Sequence, residues 1–210
     1  MSPAGAGDPS LQQAIDALAP PGLLIGHRVI SPGDELALLD AEAAAMAAAA
    51  VDRRRASGAA RHVARELMTR LGYAALPILK GASGAPAWPA GVTGSMAHDD
   101  RIAVAALGLQ RDFAAVGIDV EPAVPLPAEM LELIAVPREL RAMADDPLHG
   151  KLLFAAKEAV YKAANPLDGV FLEFHDIEVD LAGRKATTRT GRVLALHYAI
   201  SSHVVVLALG

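Results

Sequence analysis

Residues 171–210 read FLEFHDIEVDLAGRKATTRTGRVLALHYAISSHVVVLALG, and this closing stretch decides the fold class. It is rich in β-branched and apolar residues, and turn residues at 182–183 and 190–191 divide it. It predicts three or four strands. Residues 127–165 ahead of it predict helix, broken around DDPLHG at 145–150. Helices and strands are intermixed and the end is antiparallel, so the class is α+β.

Further upstream the same signals alternate. Residues 22–30 (GLLIGHRVI) are β-like, and 31–50 read as a helix or two, with Asp34 and Glu35 suited to a first turn. Val63, Leu67 and Leu71 recur four apart, so residues 51–73 end as an amphipathic helix. The Gly- and Pro-rich residues 81–94 read as a loop. Residues 101–109 and 112–122 read as two strands joined by a short turn at 108–111. The small, polar residues at the start suggest a flexible tail over 1–21.

Composition narrows the function. The chain has 210 residues, a formal net charge of −5 and no cysteine. Disulfides, thiolate catalysis and Cys-based zinc sites are excluded, and a reducing cytoplasm is the expected compartment. The acidic balance does not suggest nucleic acid. Mean hydropathy is +0.32, yet neither 36–51 nor 194–209 is an unbroken apolar run of spanning length, so no membrane span is expected. The N-terminus lacks the pattern of a signal peptide. HExxH, a Gly-rich phosphate loop and a Gly-x-Ser-x-Gly elbow do not occur.

Two short stretches carry chemistry. In GIDVEP (117–122), alternation on a strand puts Asp119 and Glu121 on one face. Two carboxylates there suit Mg²⁺, a hard cation that binds through few carboxylates plus substrate phosphates. An exposed strand end is the plainer reading. In FAAKEAVYK (154–162), Glu158 and Lys162 are four apart on a helix, with Lys157 beside them. An ordinary helical ion pair is the plainer reading. Together, three carboxylates and two ammonium groups can serve a phosphate–Mg²⁺ centre.

GIDVE followed some 35 residues later by FAAKEAVYK resembles the signature of the 4′-phosphopantetheinyl transferases. GAPAWPAGVTGSMAHDD (84–100) and RRRASGAARHVARELM (53–68) resemble stretches of the enterobactin-synthetase-associated branch. NPLDGVFLEFHDIEV (165–179) resembles the strand that follows the Lys-Glu motif. The resemblance covers residues 22–210.

The resemblance implies two similar α+β halves forming a pseudo-dimer, here 22–112 and 113–210, with the metal motifs in the second. It implies transfer of the phosphopantetheine arm of coenzyme A to a serine of an apo acyl, peptidyl or aryl carrier protein, with release of adenosine 3′,5′-bisphosphate. Asp119, Glu121 and Glu158 would hold Mg²⁺. The serine proton would pass to Glu158 or to a water on the ion. Lys162 and Lys157 would neutralise phosphate charge. Arg61 and Arg54 of the basic cluster, with Ser95 and His98, would bind coenzyme A. A monomer and a place in secondary metabolism, such as siderophore assembly, are also implied.

The sequence departs from the family's pattern on the cofactor side. Ala97 stands where Ser often precedes the histidine, Ala85 where Lys is common, and Asp99 and Asp100 follow His98 directly. These departures leave the metal and Lys-Glu motifs intact. They keep open an alternative, a non-catalytic descendant that binds coenzyme A or carrier proteins.

Overall fold

The computed structural model describes residues 8–81, 83–143 and 145–210. It is α+β, as expected: among the described residues, six α-helices and two antiparallel sheets. Helix α1 (Pro9–Leu18) precedes β1 (Leu24–Val29), a 3₁₀ turn (Asp34–Ala37), α2 (Asp40–Ala45) and α3 (Val51–Arg70). Strands β2 (Val92–His98) and β3 (Ile102–Leu109) complete the first sheet, ordered β1-β3-β2. Then come β4 (Val116–Pro122), α4 (Ala128–Ile134), α5 (Pro137–Arg141) and α6 (His149–Asp168). Strands β5 (Ile177–Asp180), β6 (Lys185–Thr188), β7 (Val193–Ile200) and β8 (His203–Leu209) join β4 in the second sheet, ordered β4-β8-β7-β6-β5.

The two sheets repeat one plan. In each, a first strand leads to a 20-residue helix, and the last strand returns to pair with the first. Strand alternation then builds four layers. On β8, Val204, Val206 and Ala208 face α6, while Val205, Leu207 and Leu209 face the other sheet. On β3, Ala105 and Leu107 face α3, while Val104 and Ala106 face the second sheet. Both central strands are buried on both sides, which is why their sequences are continuously apolar.

Small residues let each helix lie close to its first strand. Gly26 of β1 sits under Val63 of α3, where an added Cβ would come within 2.9 Å of the valine Cγ1. Gly117 of β4 sits under α6, where an added Cβ would lie 1.9 Å from the Ala159 carbonyl oxygen.

Two expectations are corrected. Residues 9–18 are a helix rather than part of a flexible tail: Asp8 caps it, and Leu11, Ile15 and Leu18 are buried between the sheets. Apolar residues at this spacing cover the sandwich edge near β1 and β7. Residues 1–7 of the expected tail lie outside the described residues. Residues 92–94, read as loop, begin β2; their partners on β3 supply the ladder. The strands at 101–109 and 112–122 belong to different sheets, because β3 pairs with β1 and β2 while β4 pairs with β8.

Gly117→Ala tests the close approach. The new methyl meets backbone, which cannot rotate aside. Overpacking of this kind costs about 1–3 kcal/mol, read as a lower urea midpoint with an unchanged slope.

Candidate active site

Facing α6 at Gly117 commits the rest of that face of β4. Asp119 and Glu121, two and four residues on, also point toward α6. Asp119 is 5% exposed. Its Oδ1 accepts a hydrogen bond from Lys162 Nζ at 2.6 Å, while its Oδ2 is buried without a partner. Glu121 Oε2 accepts from Lys151 Nζ at 3.0 Å. Glu158 is half-buried one turn before Lys162 and has no ion pair among the described residues.

Burial pushes the Asp119 carboxyl up to about 6, against the opposing pull of Lys162; the Glu121 and Glu158 charges add to the rise. The three carboxylates therefore share one electrostatic neighbourhood. They do not converge on a point: among the described residues no group of three acidic or histidine side chains is placed to hold an ion. Asp119 and Glu121 are each paired with a lysine of α6 instead.

Lys157 is not part of this group, and its expected role on phosphate is corrected. It is completely buried on the opposite side of α6. Its ammonium donates to the Ile134 carbonyl (2.8 Å) and the Phe174 carbonyl (2.9 Å), and it pairs with Glu139 Oε2 at 2.8 Å. All three protons are used within the core. Glu139 in turn accepts from the Val136 and Val179 amides at 2.8 and 2.7 Å, tying α5 to β5.

The first half has the same device. Glu42, also fully buried, accepts from the Leu39 and Ile78 amides at 2.8 and 2.7 Å and pairs with Arg65 at 3.0 Å. Arg61 stands 3.6 Å from this carboxylate and donates to the Ile78 carbonyl at 3.0 Å. It is a structural tie that also reaches the surface of a cleft.

That cleft, about 800 Å³, opens between the halves. The first half contributes Arg53, Arg61, Ser95 and His98; α6 contributes Tyr161 and Lys162. Ala41, Ala45 and Met46 add an apolar part to the lining. Ser95 is buried on β2 and lines the cleft. His98 ends β2 across from Lys162. His98 is exposed to the open cleft, yet desolvation by the surrounding walls holds its imidazole below the ordinary value; the Lys162 charge pushes the same way, and the backbone and charge of Asp99 oppose both.

Arg54, expected at the cofactor, does not line the cleft; Arg53 does, because one step along α3 rotates the side chain by about 100°. Arg55 is held by Glu35 and Asp52. Lys151 was missed, although its spacing to Glu158 and Lys162, seven and eleven residues, marks one helix face.

Known proteins match the chain in both halves. Residues 41–108 match the model of the 4′-phosphopantetheinyl transferase N-terminal domain, and residues 115–208 that of the 4′-phosphopantetheinyl transferase superfamily. The chain is 40% identical over 188 residues to 4′-phosphopantetheinyl transferase Svp of Streptomyces mobaraensis, covering 86% of this chain and 76% of that protein. It is 38% identical over 168 residues to 4′-phosphopantetheinyl transferase Npt of Nocardia iowensis, covering 79% and 75%. Enterobactin synthase component D of Escherichia coli is 30% identical over 142 residues, covering 64% and 66%.

The chain belongs to the 4′-phosphopantetheinyl transferase family. It is an enzyme of that class, which sets the non-catalytic alternative aside. Among the described residues no helix is long and apolar enough to cross a membrane.

Two outcomes follow from the buried charges. Lys157→Met strands the Glu139 carboxylate in the core, so it destabilises by about 3–5 kcal/mol in urea titration. Asp119 binds its proton more tightly in the folded protein. In the metal-free protein it therefore makes stability fall as pH rises from about 4 to about 6, by up to about 1.4 kcal/mol per pH unit, and adds no slope above that. The difference in chemical denaturation between wild type and Asp119→Asn across that window isolates this slope.

Proposed function

We propose that this enzyme transfers the 4′-phosphopantetheine arm of coenzyme A to a serine of an apo carrier protein, with a divalent cation, Mg²⁺, as its metal. The observation that carries the reading is the place of Lys162. It lines the interhalf cleft and, at the same time, holds Asp119 of the carboxylate group. A cationic wall suited to phosphates and an acidic group suited to a cation therefore meet at one side chain.

The residues fit the metal by chemistry. Asp119, Glu121 and Glu158 are hard oxygen donors, and Asp119 Oδ2 is buried without a partner. When bound, a divalent cation supplies charge neutralisation at the pyrophosphate and at the leaving group. Lys162 neutralises phosphate charge from the α6 side. His98 and Arg53 face the same space from the first half and suit the 3′-phosphate. Arg61 offers what remains of its guanidinium after its ties to Ile78 and Glu42.

The carrier serine Oγ attacks the β-phosphorus in line. The bond from that phosphorus to the bridging oxygen breaks, and adenosine 3′,5′-bisphosphate leaves with the electron pair. Glu158, half-buried and without an ion pair among the described residues, takes the serine proton. Acyl, peptidyl and aryl carrier proteins are the partner class. The two-half plan supports a monomer, since both walls of the cleft come from one chain.

Intact-mass spectrometry tests this. Apo carrier proteins are incubated with the enzyme, coenzyme A and Mg²⁺. The expected result is a gain of one phosphopantetheine, absent with EDTA. Glu158→Gln lowers turnover by about 10²-fold or more, the usual loss of a general base. No gain on any class of carrier overturns the reading, and unchanged turnover in Glu158→Gln removes that residue from proton transfer.

A further inference from the structure

Asp99 and Asp100 follow His98 directly and bring two anions to the edge of a cleft suited to phosphates. The structure separates them. Asp99 sits in the tight turn between β2 and β3. Its Oδ1 accepts from the Arg101 and Ile102 amides at 2.7 and 2.6 Å, which fixes the turn. Its Oδ2 lies 3.0 Å from His203 Nε2, a close contact without good hydrogen-bond alignment. Both side chains are nearly inaccessible, 9% and 3% exposed.

His203 opens β8 in the second half, opposite Pro122 at the end of β4. Its other nitrogen, Nδ1, is 3.0 Å from Ser202 Oγ, and that hydroxyl donates to Asp8 Oδ2 at 2.6 Å. Asp8 is the cap of α1, and its amide donates to His27 Nε2 on β1 at 3.1 Å. Both nitrogens of His203 thus face oxygens. The ring is held from α1 on one side and grips the turn after His98 on the other.

We propose that Asp99 and His203 are a positioning pair for His98, turning the Asp99 carboxylate away from the cleft and fixing the turn that presents the imidazole to a bound phosphate. This rests on the reading that the cleft takes coenzyme A. The pair crosses between the halves, so it also holds the first-half wall of the cleft at a set distance from α6. It accounts for an acidic residue beside an anion site: two turn amides and a histidine of the other half hold the carboxylate in place.

Calorimetric binding of coenzyme A to the full chain, and steady-state kinetics with a carrier, test it. His203→Ala should raise both the dissociation constant and the KM for coenzyme A by about tenfold with kcat little changed, the pattern of a lost uniform contact. His203→Gln, whose side-chain amide can approach and donate to Asp99, should recover most of the affinity. Asp99→Asn added to His203→Ala should recover part of it, because no freed anion remains.

NMR of the His98 imidazole in the ligand-free protein gives a readout independent of coenzyme A. It should move in His203→Ala and stay in His203→Gln. Wild-type affinity in His203→Ala, with only a lower melting temperature, overturns the proposal, as does a Gln variant no better than Ala. A wild-type protein that binds no coenzyme A, with His98 still moving as expected, overturns the parent reading and leaves the positioning pair standing.

Discussion

The crossing of α6 over β4 at Gly117 governs the site. The Ala159 carbonyl oxygen would be 1.9 Å and the Ala163 nitrogen 2.8 Å from any Cβ there. No side chain fits, so helix backbone rests on strand backbone. Strand alternation then sends Asp119 and Glu121 toward the helix, while Ile118 and Val120 enter the core between the sheets. Helical period brings Glu158 and Lys162, on either side of the contact, to the same place. A wider crossing would leave Asp119 out of reach of Lys162. The buried, partnerless Asp119 Oδ2 is a consequence of the same tight approach.

The first half repeats the crossing and gives it different chemistry. Gly26 lies under Val63 and Leu67, and Arg28, two residues on, stands where Asp119 stands after Gly117. Arg28 pairs with buried Asp34 at 2.8 Å, so that position is tied up in structure. Glu42 and Glu139 repeat as well. Each caps a short helix, each accepts an amide beyond it, and each holds a cation from the long helix. A buried carboxylate with a full set of donors is tolerable where an unpaired one is not. The framework is thus shared, and the carboxylate group belongs to the second half alone.

Part of this was legible. The α+β class followed from the antiparallel end, and strand and helix periods put Asp119 with Glu121, and Glu158 with Lys162, on shared faces; their expected roles came from the family resemblance. Helical arithmetic also held information that motif reading overrode. Lys157 lies four residues after Leu153, three before Val160 and seven before Ala164, all buried, so its face of α6 is the core. Adjacent in sequence to Glu158, it is about 100° away on the helix. Arg54 and Arg53 differ by the same rotation. What no local pattern contains is the partner across a long loop. Glu139 for Lys157, Glu42 for Arg61 and His203 for Asp99 are 18, 19 and 104 residues away in the chain. Helix α1 was hidden for a related reason: its three apolar anchors have a use only once both sheets provide the groove.

Charge arithmetic explains how an acidic chain can keep a phosphate-suited cleft. The chain as a whole carries −5, yet Arg53, Arg61, His98 and Lys162 line the space between the halves. Several nearby acids have a cation or an amide assigned to them: Glu42 has Arg65, Glu121 has Lys151, and Asp99 has two amides with His203 beside it. Asp119 shares Lys162, and Glu158 is left over. Three carboxylates against two lysines leave the group about one charge negative when Asp119 is ionised. On the proposed reading, a divalent cation would reverse that sign, and a pyrophosphate would then meet a positive neighbour where it would have met a negative one. On the same reading, cation and polyanion would each improve the other's binding, because Lys162, which lines the cleft and pairs with Asp119 in the free protein, would face phosphate more freely once a cation balanced that carboxylate.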